Sequence, residues 1–239
     1  MTTIFREDFF NDGNGTRYTA SSPDSLLDIA SEDWFGVITN AVTLPPASEY
    51  FDSSGNRVTE GFYGVEDING AIPFAPETLE LSWTDIDISN FENLSFTGVF
   101  AEDDDGTNED WDTDTSLIVS YSIDGGAFQN LLAFEAEADA AGNQTNKAPR
   151  VDTDFDGIGD GSELTSTFSD FSAAIAGVGS SLDIRIALNN FGANDEDVAI
   201  DGFSISGDAV SVTPSPFTFE LLHFADQEAN AATIDNIDN

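Results

Sequence analysis

Leu182-Asp183-Ile184-Arg185-Ile186-Ala187-Leu188 decides the fold class. Leu182, Ile184, Ile186 and Leu188 fall on one side of an extended chain and Asp183 and Arg185 on the other, the period of two that a half-buried strand requires. The same period recurs outward from this stretch. Leu79, Leu81 and Trp83 alternate with Glu80 and Ser82. Leu94, Phe96 and Phe100 share a face with Gly98, against Asn93, Ser95 and Thr97, and Leu117, Val119, Tyr121 and Ile123 repeat the pattern. Further strands are expected within 4–10, 34–39, 61–65, 128–134, 168–175 and 198–205. Turn signals separate them at Asp12-Gly-Asn-Gly15, Ser54-Gly-Asn56 and Asp124-Gly-Gly126, the last reading as a tight hairpin. Helical periodicity is scarce: 23–30 has room for one or two turns, and 135–141 has helix-forming composition. About ten strands with long acidic loops predict an all-β chain, an antiparallel β-sandwich of the jelly-roll kind.

The chain has 239 residues, with 46 acidic and 6 basic side chains and a formal charge of −40. That balance argues against nucleic acid as a partner and against anionic lipid surfaces. Apolar residues make up 40%, including 20 Phe, which is enough for a core rather than a disordered chain. Cysteine is absent and His223 is the single histidine, which leaves oxygen-ligated hard cations as the natural metal partner. No apolar run approaches the roughly 20 residues of a membrane span, so no membrane insertion is expected. The N-terminus lacks the basic and apolar regions of a secretory signal. Export by another route, a trimmed signal and a cytoplasmic location all remain open on the residues alone.

The sharpest motif is Asp152-Thr-Asp154-Phe-Asp156-Gly157-Ile-Gly-Asp160-Gly-Ser-Glu163. Acids at positions 1, 3, 5, 9 and 12 with glycine at 6 match the ligand spacing of a calcium loop, and Gly157 supplies the sharp turn. Asp152, Asp154, Asp156, Asp160 and Glu163 are therefore candidate calcium ligands. A solvated acidic turn is the alternative. Pro149 before the loop, with Ile158 and Gly159 inside it, departs from a helix–loop–helix unit.

A second run, Glu102 to Asp114, carries eight carboxylates within residues 101–114. It reads either as a solvated face or as a second calcium site using Asp103, Asp105 and Asp110, with Trp111 packed inward. A third grouping joins distant acids. The first and last strands of a jelly roll commonly lie side by side, which would bring Glu7 or Asp8 near Asp197 or Asp201. A calcium ion shared by Asp8 and Asp201 is one reading, and ordinary edge carboxylates the other. Paired acids also raise a glycosidase reading, but with 46 acids any pair is uninformative. Solubility in high salt is a third use of the acidity; it does not account for the spacing at 152–163. Trp34, Tyr50, Tyr63 and Trp111 are candidates both for core packing and for sugar stacking.

Residues 4–206 resemble an N-terminal β-sandwich module of large secreted or surface bacterial hydrolases. The resemblance is carried by Phe91-Glu-Asn-Leu-Ser-Phe-Thr-Gly-Val-Phe-Ala-Glu-Asp-Asp-Asp-Gly, Asn108-Glu-Asp-Trp, Tyr121-Ser-Ile-Asp-Gly-Gly, 152–161 and Asp195-Glu-Asp-Val-Ala-Ile-Asp. The closing Val-Ala-Ile-Asp-Gly-Phe is similar to the last strand of MAM and laminin-G-like jelly rolls. The resemblance implies a non-catalytic, calcium-binding accessory domain at 1–206, extracellular or at the cell surface. It further implies a carbohydrate or cell-surface partner, and a monomer is expected.

Gly207 to Pro216 reads as a linker. Beyond it, 217–239 is similar to the start of a calcineurin-like metallophosphoesterase of the 5′-nucleotidase or alkaline-phosphatase type. Leu221-Leu-His-Phe-Ala-Asp226-Gln-Glu228 carries this likeness, with Asp226 at the metal-binding Asp position and Glu228 where that family has His. A two-metal centre needs several further ligands, and 11 residues follow Glu228. The expectation is that this chain alone is no enzyme, and that such an active site would lie in further C-terminal sequence.

Overall fold

The structure, a computed structural model, describes residues 1–9, 16–21, 25–28, 33–39, 50–68, 78–103, 111–193 and 196–211. In chain order its strands are β1 (Thr2–Glu7), β2 (Thr19–Ala20), β3 (Ser25–Asp28), β4 (Asp33–Ile38), β5 (Phe62–Glu66), β6 (Thr78–Asp87) and β7 (Phe91–Ala101). They continue as β8 (Ser116–Ile123), β9 (Gln129–Ala136), β10 (Pro149–Val151), β11 (Ser169–Ala174), β12 (Ser181–Asn189) and β13 (Asp197–Ala209). Two antiparallel sheets result. One runs β11-β7-β13-β5-β4-β3 with β1 also paired to β13, and the other runs β10-β9-β8-β12-β6-β2. The protein is an antiparallel β-sandwich, as the alternation predicts.

Alternation also sets which side chains meet. Leu182, Ile184, Ile186 and Leu188 are fully buried, as are Leu79, Leu81 and Phe96, and Trp83 and Phe203 from opposite sheets stand edge-to-face at 4.8 Å. Phe100 and Phe134 bridge the sheets farther along, at 5.3 Å. A smaller apolar cluster lies on the outside of the seven-stranded sheet, where Tyr50 and Phe168 cover Trp34, Ile38, Phe62, Ala101 and Ala199. The hairpin at Asp124-Gly125 forms as expected; both residues have positive φ, 51° and 70°, the signs a type I′ turn demands.

Two expectations are corrected. The 23–30 stretch is not helical over its described part: Ser25–Asp28 is β3, in register with β4 from Ser25↔Gly36 to Asp28↔Asp33. The helix-forming composition of 135–141 is overridden as well. Glu135 and Ala136 complete β9, laddered to Ser116 on β8 and to Pro149 and Arg150 on β10, and the chain then turns at Asp139–Gly142. Sheet pairing on both edges outweighs local propensity there.

The first and last strands do lie side by side. One edge of β13 is shared, β5 pairing Asp197–Ile200 and β1 pairing Phe203–Gly207. Gly202 sits at the changeover with φ 143°, and a Cβ there would lie 2.2 Å from the Glu7 carbonyl oxygen, so only glycine lets β1 approach. β13 continues through Gly207–Ala209. The linker beyond 211 and the 217–239 segment, with Asp226, lie outside the described residues. Among the described residues no helix is long and apolar enough to cross a membrane.

Candidate functional site

β10 delivers the chain into the acidic loop, anchored where the Asp152 N–H donates to the Ala133 carbonyl of β9 at 3.0 Å. Asp152 itself is buried and organises the turn. Its Oδ1 accepts the Phe155 amide at 2.7 Å and, more weakly, those of Asp154 and Asp156, while Oδ2 accepts the Gly157 amide at 2.8 Å. Gly157 makes the bend with φ 89°. The consequence is the arrangement expected from spacing: Asp152, Asp154 and Asp156 each place one carboxylate oxygen within 4.8 Å of the others. Mutual repulsion is visible in the Asp154 carboxyl, whose pKa is raised chiefly by the Asp156 charge. Three hard oxygen donors converging without a basic side chain among them suit a divalent cation such as calcium.

The two later acids of the motif do not join that group. Asp160 Oδ1 accepts the Thr153 amide at 3.0 Å and the Thr153 hydroxyl at 2.8 Å, bonds that lower its pKa. Glu163 is hydrogen-bonded to Arg150, which also donates to Glu137 at 2.6 Å. The arginine thus straps the far side of the loop. Gln144, buried, adds a second strap by donating to the carbonyls of Ala136 and Gly157, both at 2.9 Å.

Reading the sequence alone misses Glu135. It is buried beside the loop, and burial, reinforced by the Asp152 charge, pushes its pKa up to about 7. The strand expected within 128–134 stops one residue short of it, whereas β9 runs on to Ala136. The strand pattern of β9, with Phe134 and Ala136 turned inward, was the available signal.

The other predicted ligands are dispersed. Asp8 and Asp201 come within electrostatic reach of each other, with Arg6 beside them, and burial raises the Asp201 pKa. Glu7 is turned inward instead, its carboxylate accepting the amides of Asp8 and Phe9 and the Trp83 indole, each at 2.9 Å. The Asp103 amide donates to Asp197 Oδ1 at 2.9 Å, and the Tyr50 hydroxyl donates to the same oxygen at 2.6 Å. Asp105 and Asp110 lie outside the described residues. Trp34, Tyr50, Tyr63 and Trp111 are all buried, so their core reading holds. Trp111 donates its indole N–H to the Asp197 carbonyl at 3.1 Å.

No protein-family model and no curated protein matches the sequence. Among solved structures, the chain aligns with TmCBM61 in complex with β-1,4-galactotriose at 12% identity and a TM-score of 0.43, over 87% of this chain and 100% of the other. It aligns with the K1 cleaved adhesin domain of Lys-gingipain from Porphyromonas gingivalis W83 at 16% identity and 0.40, over 86% and 98%. For CBM35 from Paenibacillus barcinonensis the values are 14% and 0.36, over 85% and 99%.

Proposed function

We propose that the chain is a non-catalytic, calcium-binding β-sandwich module that attaches a larger secreted bacterial hydrolase to glycan or to a cell surface. The calcium reading is carried by the convergence of the Asp152, Asp154 and Asp156 carboxylates on a turn already held by main-chain hydrogen bonds to Asp152. All three donors are hard oxygens, and three carboxylates leave room for the carbonyl and water oxygens with which calcium completes six to eight ligands. The ion would screen the repulsion between Asp154 and Asp156 and clamp the loop onto β9 and β10. The attachment reading rests on the likeness of residues 4–206 to accessory modules.

Thermal melting at fixed ionic strength tests the calcium part. Calcium should raise Tm relative to EDTA by mass action on the folded state, with an affinity on the order of 10⁻⁴–10⁻³ M, as for extracellular modules. The D154A/D156A double variant should lose the response. A melting curve indifferent to calcium and EDTA would overturn the reading. A glycan array probed with the purified chain tests attachment.

The second reading, the opening of a metallophosphoesterase, is favoured by Leu221–Glu228 alone. Turnover of a phosphomonoester by the purified 1–239 chain with added divalent metals would replace the module reading.

A further inference from the structure

The outer face of the seven-stranded sheet, not the sheet to which β10 and β9 belong, carries a groove. Its floor follows from register. Ser172, Thr97, Ser204 and Arg6 are successive cross-strand neighbours on β11, β7, β13 and β1. In the next row Asp170 pairs with Val99, and Val99 pairs with Gly202, beside which Asp201 stands at a strand irregularity. Two adjoining concavities of about 280 and about 500 Å³ share Val99, Asp170 and Asp201. Arg6, Thr97 and Ser204 extend one of them, while Asp52 and Val58 wall the other. Together they fall in the size range of sites for small organic ligands.

We propose that this groove is a saccharide site, and that it takes neutral oligosaccharides in preference to anionic ones; the proposal rests on the attachment reading above. The lining fits that chemistry. Asp52, Asp170 and Asp201 are acceptors for ligand hydroxyls, and Arg6 is a donor. Short Ser and Thr side chains keep the floor open, while Val58 and Val99, packed on the small outer cluster, present rigid apolar surface to sugar C–H groups. Asp201 is exposed at the groove wall with Arg6 beside it, so its carboxylate oxygens are open to a ligand hydroxyl. Charge sets the preference. Three carboxylates face one guanidinium in a chain of formal charge −40, which repels uronate or sulfate groups.

Titration calorimetry at constant calcium, with neutral cello-, manno- and xylo-oligosaccharides set against oligogalacturonate, tests it. At least one neutral ligand should bind and oligogalacturonate should not. The D170A/D201A double variant, and its near-isosteric D170N/D201N counterpart, should weaken binding by about tenfold or more. Their melting should stay unchanged, because both side chains are exposed. Full affinity in both double variants would overturn the site while leaving the attachment reading standing. Preference for oligogalacturonate would overturn the charge argument. Binding of no saccharide at all would overturn the site together with the glycan part of the attachment reading.

Discussion

The Trp83 indole N–H donates to Glu7 Oε2 at 2.9 Å, joining a carboxylate of the seven-stranded sheet to a buried aromatic residue of the six-stranded one. Glu7 is almost wholly buried, and its other oxygen accepts the Asp8 and Phe9 amides. A buried carboxylate is tolerated here because three hydrogen-bond donors surround it, with the Arg17 guanidinium at 3.9 Å.

Removing that carboxylate leaves buried donors without an acceptor. Glu7→Ala should destabilise the fold by about 3 kcal/mol or more, and Glu7→Gln, which keeps an acceptor oxygen, by less. Chemical denaturation of the two variants checks the order; equal stability of Glu7→Ala and the unaltered chain would contradict it.

The acidic loop separates two roles that look alike in sequence. Asp152 holds main-chain amides, so Asp152→Ala should lower stability even in EDTA, by about 1–3 kcal/mol. Asp154 is exposed and repelled by its neighbours. Asp154→Ala should therefore be neutral or slightly stabilising in EDTA, while weakening the calcium response. Melting each variant with and without calcium distinguishes them.

Tyr50 offers a spectroscopic readout. Its hydroxyl donates to Asp197 at 2.6 Å, and burial, with the Asp197 and Glu66 charges, raises its pKa well above the usual value of 10.0. In an ultraviolet titration Tyr50 should resist ionisation until the chain unfolds, and Tyr50→Phe should reduce the amplitude of that late step by one tyrosine. Losing the bond to a charged acceptor should cost about 1.5–3 kcal/mol.

Glu135 makes a pH prediction of defined sign. Its folded-state pKa of about 7 lies above the ordinary 4.5, so the folded form binds the proton more tightly. The associated stability is full below pH about 4.5 and is lost as pH rises through about 7. Glu135→Gln should flatten stability across that window. An unchanged pH profile in the variant, followed by denaturant midpoint, would place the titration elsewhere.

Strand faces were legible because alternation is a local property: the side of the chain on which Ile184 or Leu81 falls does not depend on the partner strand. Two stretches show the limit. Ser25–Asp28 and Glu135–Ala136 are strands because β4, β8 and β10 pair with them, and pairing partners are distant in sequence.

The candidate site divides in the same way. Convergence of Asp152, Asp154 and Asp156 is a matter of one tight turn about Gly157, and alternate spacing determines it. The fates of Asp160 and Glu163 depended on Thr153 and on Arg150, whose place opposite Glu135 exists only once β10 has paired with β9. The first-to-last strand contact was expected from the fold class. Which acid it buries was decided by the tertiary structure, because Trp83 of the opposite sheet supplies the donor that turns Glu7 inward and leaves Asp201 facing the groove. Local periodicity determined the sandwich and the loop; contacts between residues far apart in the chain decided which carboxylates are structural and which stay open to a ligand.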